Sequence, residues 1–556
     1  MSKATRWKTV FFVVFSFSWL AGAGPLRAQT WQWASSVVMG SSNDASMATA
    51  AAVDEGGNTV VTGYFHGTAN FGAISLVSNG GTDLFIAKLS PAGNWVSAVR
   101  VGGNGSVIPH ALAIDGEGAV LVAGSYTGNV NFGSFTLTNV TSSTSSPDKV
   151  FVARLNSSGI WTMATAPQVS GVATALALDP LGNAVVAGYY AGTATFGTTT
   201  LPNANTSFGG ASADAFVATL NPAGTWTTAV RAGGPNYDTV RALAIDAAGN
   251  VTVAGYFQGS ATFGPITITA GTSSNVDLFV ARLSAAGTWT QAVGAGGSGS
   301  DSADALALDG AGNAVVGGVF FGTTAFGATT LTSAGGVDVF VARLTPAGTW
   351  AQATRAGAAG DDGVSALAVD ATNNATVVGF FAGNVGFGPS VLTSTQLGDV
   401  FAATLSPAGT WTQAVRGGGP GDDQVAAVAL KAGSATLVGT FQQSATFGSI
   451  TVLSNTIGNR SSFVARLSGL ATAARPAAGI ATFTLSPNPA RGLVRADWTA
   501  PLDASARLLL FDAMGREVAR QPLAARTSSA YLDITGLAPG LYVVRCGAAT
   551  SRLQVE

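Results

Sequence analysis

A thirteen-residue segment recurs through most of this chain of 556 residues, and it restricts the possible folds more than any other feature. Its clearest copy runs from Asp277 to Trp289: an apolar run ends at Leu283, a Gly-containing turn follows, and Trp289 begins the next apolar run. Successive Trp residues of this segment lie 61 to 66 positions apart. A period of this length is typical of one β-propeller blade with a generous loop.

One full period, from Trp226 to Leu283, contains four β-rich runs bounded by Gly, Asn and Pro, and no helical periodicity. It predicts a four-stranded antiparallel sheet. The second run, such as Ala305-Leu-Ala-Leu-Asp309, places Ala at alternate positions, which suits an innermost strand where blades converge. The bulky Trp fits the outer strand, where blades diverge.

The number of copies predicts how the ring closes. The run Phe-Val-Ala-x-Leu, with small variations, occurs seven times, but a Trp strand follows only the first six copies. The missing strand lies near the start of the chain, where Thr30-Trp31-Gln32-Trp33-Ala34 aligns with Thr410-Trp411-Thr412-Gln413-Ala414. We therefore predict an all-β fold with a seven-bladed β-propeller of four-stranded blades, whose last blade is completed by the N-terminal strand.

These repeats resemble the SBBP family of β-propeller repeats through their Ala-Leu-Ala-x-Asp, Gly-Asn, Asp-x-Phe-Val-Ala-x-Leu and Gly-Gly-x-x-x-Asp segments. The resemblance covers residues 29–468. Blade seven departs from it, because Lys431-Ala-Gly-Ser-Ala435 replaces the Asp-x-x-Gly-Asn turn. The family has no common catalytic signature, so the resemblance implies the fold and little about activity.

The N-terminus has the pattern of a secretory signal, residues 1–28. Lys3, Arg6 and Lys8 precede the apolar run 10–20, and small residues lead to Ala28. A membrane anchor is the alternative, but the apolar run is shorter than the roughly 20 residues that a spanning helix needs.

The C-terminal part changes character after an Ala-, Gly- and Pro-rich linker, residues 469–480. Residues 481–556 lose the sixty-residue period and are expected to form a small β-sandwich. They resemble the type A C-terminal sorting domain of the type IX secretion system, with an ordinary Ig-like module as the alternative. The three motifs of that family match at the following positions: Pro487, Asn488, Pro489 and Gly492; Asp512 and Gly515; and Gly540 and Tyr542. The resemblance implies contact with the type IX machinery and passage through the periplasm to the cell surface or the medium.

Composition excludes several functions. Charged residues make up 10% of the chain and the net charge is −2, so no basic stripe is available for nucleic acid. The single Cys546 excludes an internal disulfide and is interpreted as a buried apolar residue. The two histidines, His66 and His110, occupy unrelated repeat positions, which disfavours a zinc site or a His-based triad. We expect no cofactor and no metal, and we interpret the Asp-x-x-Gly-Asn turns as structural rather than calcium-binding.

The loop after the Trp strand carries acidic residues in five of the seven repeats, and in an up-and-down blade it lies on the same face as the long Phe-Gly segment. A solvated acidic rim is one interpretation, and a ligand site is the other. Our leading hypothesis is a secreted, monomeric binding or scaffold module for a surface glycan or protein. The alternatives are a carboxylate-dependent glycosidase or lyase, and a structural or adhesive surface component. The candidate ligand-binding residues are Asp238, Asp301, Asp361, Asp362, Asp422 and Asp423.

Overall fold

The structure is a computed structural model that describes residues 29–139, 148–204, 212–271, 275–455, 458–470, 483–498, 506–512, 517–523, 527–546 and 549–556. The predicted signal segment and nearly all of the predicted linker lie outside these residues. The chain divides into two compact bodies, Met1–Ala471 and Thr472–Glu556. Among the described residues there is no helix, and so none that could cross a bilayer by its length and hydropathy.

In the first body, each repeat of the sequence folds into four antiparallel strands, here called a unit. Units 1 to 7 are numbered by their inner strands in chain order. The inner strands are Ala45–Val53, Val107–Ile114, Gln168–Leu178, Asp238–Ile245, Asp301–Leu308, Asp362–Val369 and Gln424–Lys431. The second strands are Thr59–His66, Val120–Tyr126, Ala184–Phe196, Val251–Gln258, Ala314–Phe320, Ala375–Phe387 and Ser434–Phe441. The third strands are Asp83–Leu89, Lys149–Leu155, Asp214–Leu220, Val276–Leu283, Asp338–Leu344, Ser390–Leu405 and Ser461–Ser468.

The outer strands begin with Trp in six units and come from the start of the described chain in the seventh. They are Trp95–Gly103, Trp161–Thr165, Trp226–Gly233, Trp289–Gly297, Trp350–Ala356, Trp411–Gly418 and Thr30–Ser36. Thr30–Ser36 pairs antiparallel with Ser461–Ser468, with Trp31 opposite Leu467. In unit 6, Trp411 stands opposite Leu405 in the same way. The two ends of the repeat region therefore share one sheet, as the count of Trp strands predicts.

The inner strands lie side by side in chain order, and the inner strand of unit 7 lies against that of unit 1. Their small residues, such as Ala48 and Ala303, are buried where adjacent units meet. The second and third strands are apolar along most of their length because neighbouring units cover both of their faces. The apolar cores accordingly run between units rather than within one unit.

The long Phe-Gly segment forms a small hairpin in each unit. Its separate strands are Thr68–Phe71, Ile74–Val77, Gly128–Phe132, Phe135–Asn139, Thr199–Leu201, Ser260–Phe263, Ile266–Thr269, Thr323–Phe326, Thr329–Thr332, Ser444–Phe447 and Ile450–Leu453. In units 3 and 6, long second or third strands supply the rest of the hairpin. In units 2, 4, 5 and 7, a hairpin strand pairs with the outer strand of the preceding unit; for example, Val130 stands opposite Gly103. The hairpin of unit 1 pairs instead with Val38–Met39, just after the outer strand of unit 7.

The hairpin Phe packs against the Trp of its own unit. Ring centroids lie 4.9 to 5.2 Å apart in all seven units. In unit 7, Trp31 completes this contact by packing edge-on against Phe447. The Gly after each Phe has a positive φ, such as 57° at Gly264, which a side chain would disfavour. This explains why Phe and Gly recur together.

The second body, considered alone, contains two antiparallel sheets. One holds Phe483–Ser486, Leu493–Trp498 and Ser529–Asp533. The other holds Ala506–Phe511, Glu517–Leu523, Gly540–Cys546 and Ala549–Val555. Residues from both sheets, among them Val494 and Val544, form one apolar core. Cys546 is a buried free thiol in this core, as predicted.

Candidate functional site

The six predicted ligand-binding aspartates occupy two different environments. Four are almost fully inaccessible to solvent, with exposed fractions of 0 or 1%: Asp238, Asp301, Asp362 and Asp423. Each lies at the start of an inner strand or one residue before it. Asp361 is exposed and Asp422 is half-buried. The four buried carboxyls therefore do not form the solvated rim that was one interpretation of this loop.

Hydrogen bonds from the preceding loop, or from the hairpin of the same unit, hold the buried carboxyls. The backbone N–H of Gly234 donates to Asp238 Oδ2 at 2.6 Å, and the N–H of Gly419 donates to Asp423 Oδ2 at the same distance. The Thr324 hydroxyl donates to Asp301 Oδ1 at 2.5 Å. The Gly-rich loop is thus a cradle for an internal carboxyl, which is a structural role.

Each buried carboxyl also faces the first Asp of a third strand in the preceding unit. At Gly233, an added Cβ would come within 3.0 Å of oxygens from both Asp214 and Asp238, so a side chain there would displace one of the two carboxyls. Burial, which is the largest cause, and the neighbouring carboxylate together raise the pKa of Asp238 to about 7. The same two causes raise the pKa to about 7 in the equivalent residues Asp301, Asp362 and Asp423.

The two more accessible aspartates have local partners. Asp361 Oδ1 accepts a hydrogen bond from the N–H of Val337 at 3.1 Å. Asp422 forms an ion pair with Arg460. A ligand-binding role for any of the six stays a prediction.

The structure points to a different set of residues, which sequence reasoning missed. Every inner strand has a β-bulge at the same place in its pairing with the second strand. A bulge leaves one residue out of the ladder and redirects its side chain. We call these residues the bulge ring: Thr49, His110, Thr174, Arg241, Asp304, Ser365 and Ala426.

Members of the bulge ring form hydrogen bonds to the neighbouring unit. Arg241 Nε of unit 4 donates to Asp304 Oδ1 of unit 5 at 3.2 Å, and Ser302 supports the same oxygen at 3.0 Å. The hydroxyl of Thr174 donates to the carbonyl of Val240 at 2.6 Å. Burial, together with the charge of Arg241, lowers the pKa of His110 to about 4, so this imidazole is neutral at physiological pH.

Tyr189 of unit 3 interacts electrostatically with Arg241 and with Tyr237 and Tyr256 of unit 4. Burial raises the pKa of Tyr189, and electrostatic interactions with Tyr237 and Tyr256 raise it further, whereas Arg241 opposes the shift. Tyr237 lies just before the inner strand of unit 4 and is 39% exposed. Aromatic faces next to a paired cation and carboxylate are suited to a ligand with both apolar and hydrogen-bonding surfaces.

The sequence carried a signal for the bulge ring. Its residues stand directly before the repeated Ala of the inner strand, in Pro109-His110-Ala111, Val240-Arg241-Ala242 and Ala303-Asp304-Ala305. The flanking residues stay small or β-branched from unit to unit, whereas the central residue changes its chemistry. Strand periodicity alone does not show a bulge, because the extra residue interrupts the alternation.

The Asp-x-x-Gly-Asn turns on the opposite face have the structural role predicted for them. Asp246 Oδ1 accepts the N–H of Asn250 at 2.9 Å, and Asp246 Oδ2 accepts its side-chain amide at 2.8 Å. Burial alone would raise the pKa of Asp246, but these hydrogen bonds outweigh it and lower the pKa. Within the described residues, no three His, Cys, Asp or Glu side chains come together as a metal site.

Most of the predicted sorting-motif residues form contacts within the second body. Asn488 donates from Nδ2 to the carbonyl of Arg552 at 2.7 Å and accepts the N–H of Gln554 at 2.9 Å. Tyr542 donates from its hydroxyl to the carbonyl of Ala538 at 2.9 Å. Pro487, Pro489, Gly492, Asp512 and Gly540 also lie among the described residues, whereas Gly515 lies outside them.

Residues 484–555 match the family described as a secretion system C-terminal sorting domain. This protein is exported. The domain directs export by the type IX secretion system to the cell surface or the extracellular space, and it implies an interaction with that machinery. The chain shows no detectable similarity to curated proteins.

Several solved structures are similar to parts of this one. A protein of unknown function from Dyadobacter fermentans has a TM-score of 0.39 and 11% identity, over 79% of this chain and 99% of its own. A catalytically inactive virginiamycin B lyase from Staphylococcus aureus, crystallised with quinupristin, has a TM-score of 0.38 and 10% identity, over 78% and 99%. Sqt1 from Chaetomium thermophilum has a TM-score of 0.38 and 10% identity, over 74% and 97%.

Proposed function

We propose that the seven units close into one seven-bladed propeller of the SBBP type, residues 29–468, joined to the sorting domain, residues 481–556. The order of the inner strands and the pairing of Thr30–Ser36 with Ser461–Ser468 support closure, because they leave no unit without a neighbour on either side. In a closed propeller the inner strands surround an axis, and the bulge ring lines it.

We further propose that this protein is a secreted binding module, and that its ligand is a surface glycan or protein recognised at the bulge ring. The observation that carries the proposal is the ring itself. Seven equivalent bulges present seven side chains at one level, and their chemistry varies where the flanking residues hardly do. Ala426 shows that a small apolar side chain can occupy this position. The fold alone therefore does not require Arg241, Asp304 or His110 there.

The ligand enters from the loop face in this proposal. Each inner strand starts at the Gly-rich loop, so Tyr237 stands at that entrance and Arg241 lies four residues further along the strand. Tyr189 and Tyr256 supply apolar faces, and the Arg241–Asp304 pair supplies donors and acceptors that fix orientation. The exposed Asp361 and the half-buried Asp422 are proposed to contribute at the rim of the same face.

Glycan and protein arrays probed with the exported protein test this proposal. We expect one ligand class to bind, and Arg241→Ala to weaken it by a factor of ten or more, since loss of one charged hydrogen bond costs about 1.5–3 kcal/mol. Glu117→Gln is the matched control, because Glu117 is an exposed residue of a turn on the opposite face. A ligand whose affinity followed Glu117 and ignored Arg241 would contradict the proposed site, and turnover of that ligand would indicate the enzymatic alternative.

A further inference from the structure

Four units contain a repeated ion pair that links the third strand to the outer strand. The first Asp of the third strand is fully buried, and an Arg seventeen residues later forms an ion pair with it at 2.5 to 3.0 Å. These pairs are Asp83–Arg100, Asp214–Arg231, Asp338–Arg355 and Asp399–Arg416. Each Arg side chain is 28 to 36% exposed, so its site opens to solvent.

Two of the other units have lost both partners together. Unit 2 has Lys149 in place of the Asp, with Ala166 in place of the Arg. Unit 7 has Ser461 and Ser36 at these positions. Neither unit has a carboxylate at this position; in unit 2 the adjacent Asp148 is exposed.

Unit 4 alone keeps the acid and lacks the base. Asp277 is 4% exposed, and Gly294 occupies the position of the Arg, opposite Phe279 in the same register that places Arg355 opposite Phe340. Among the described residues, no cation forms an ion pair with Asp277. Its Oδ2 accepts the N–H of Gly271 at 2.7 Å. Its Oδ1 is buried, as are the Oδ1 atoms of the four paired aspartates, so the missing ion pair is what distinguishes Asp277 from them. Burial raises the pKa of Asp277, and the N–H groups of Gly271 and Gly297 oppose this only in part.

An open pocket of about 340 Å³ occupies the place of the missing side chain. An added Cβ at Gly294 would lie 3.6 Å from the Phe257 ring, which is an ordinary contact. Ile268, Ala295 and that ring form an apolar wall. The size is within the range of small-ligand pockets.

The pocket is also lined by residues equivalent to those whose carbonyl groups accept hydrogen bonds from the arginines in other units. Arg355 donates to the carbonyl of Thr332 at 3.0 Å, and Arg231 donates to the carbonyl of Gly233 at 3.3 Å. The equivalent residues by register in unit 4 are Thr269 and Gly296, and both line the pocket beside Asp277. A planar guanidinium has donors in a fork that matches a carboxylate together with nearby carbonyls.

We infer that the pocket at Gly294 binds an alkylguanidinium group supplied from outside the chain, which forms the ion pair with Asp277 that the other units form internally. The bound group neutralises a buried carboxylate, and its short alkyl stem lies against Phe257. This site is separate from the bulge ring and does not depend on the function proposed for it.

Calorimetric titration of the exported protein with ethylguanidinium tests the inference. We expect one site per chain, with no binding of neutral N-ethylurea and weaker binding of ethylammonium, which lacks the planar fork. Asp277→Asn should lower the affinity tenfold or more. Gly294→Arg should abolish binding because its own guanidinium fills the pocket, whereas Gly294→Ala should retain it.

A gain-of-site variant keeps the test decisive if Gly294→Arg does not fold. Arg355→Gly recreates the same vacancy in unit 5, so the number of sites should rise from one to two. A capped Gly-Arg-Gly peptide distinguishes the sources of the group: if it binds at the same site, the pocket accepts arginine side chains, and if only ethylguanidinium binds, the pocket is restricted to small molecules. Unchanged binding in Gly294→Arg, or binding to Arg355→Gly but not to the natural protein, would overturn the inference.

Discussion

The substitution Asp362→Asn provides a quantitative test of the buried carboxyls. Asp362 has no exposed surface, accepts the N–H of Ala358 at 3.1 Å and is close to the carboxylate of Asp338. Burial, with that neighbouring charge, raises its pKa from 3.8 to about 7. The folded protein therefore holds a proton on Asp362 over a pH range in which the unfolded chain has lost it.

The sign of the effect follows from linkage. Because the folded-state pKa is raised, the contribution of Asp362 to stability is fully present below pH 3.8 and is lost as the pH rises towards 7. A shift of roughly three units, at 1.36 kcal/mol per unit, makes the loss about 4 kcal/mol. Asn cannot ionise, so Asp362→Asn should gain stability relative to the natural protein across this window, at about 1.4 kcal/mol per pH unit. The gain should level off above pH 7.

Urea unfolding of the exported protein, followed by tryptophan fluorescence at several values between pH 4 and pH 8.5, measures this difference. The diagnostic quantity is how the stability difference between Asp362→Asn and the natural protein changes with pH. Any cost of placing an amide at this position is the same at every pH, so it does not affect that change. Asp361→Asn is the matched control: it removes the same charge from the adjacent exposed residue and should change stability by no more than about 0.5 kcal/mol. A stability difference that is the same at pH 4 and pH 8.5 would refute the argument.

Three further predictions concern closure, export and the turns. Trp31→Ala should lower the free energy of unfolding by about 3 kcal/mol through loss of the contact with Phe447, and deletion of residues 30–38 should cost more; unchanged thermal stability after that deletion would contradict closure by this strand. Removal of residues 481–556 should leave folded protein in the periplasm, and normal amounts of truncated protein outside the cell would contradict the sorting role. Asp246→Asn should lower stability by about 1–2 kcal/mol while leaving binding at the loop face unchanged, as measured by urea unfolding and array binding.

The strand order could be predicted from the sequence because the same strand pattern recurs seven times along it. The six Trp strands and the unpaired copy near Trp31 predict a sheet shared by the two ends of the repeat region, and Thr30–Ser36 pairs accordingly. The candidate site could not be predicted in the same way. An Asp in a Gly-rich loop is expected to be exposed, yet Asp238 and Asp423 are inaccessible and face carboxylates of the preceding unit. Burial by a neighbour is a property of packed units, so a single repeat does not reveal it.

The bulge ring and the vacancy at Gly294 illustrate two kinds of information in a repeat. Arg241 and Asp304 differ from the equivalent residues of the other units, and they do so at the bulge, where the backbone turns a side chain out of the ladder. At the position of Gly294, four other units have an Arg that forms an ion pair, so unit 4 lacks a partner that those units share. Comparing units with one another identifies both, without any second protein.

The pairing of the first and last strands has a consequence for the order in which the protein matures. Gln32 and Ser468 hydrogen-bond across 436 positions of sequence, so the closing sheet cannot form until nearly the entire repeat region has been made. Bringing such distant segments together is entropically costly and slow. Until then, the strand Thr30–Ser36 lacks its partner and presents unpaired N–H and C=O groups that can pair with another chain. A secreted protein built this way is most exposed to aggregation while its first strand waits for its last.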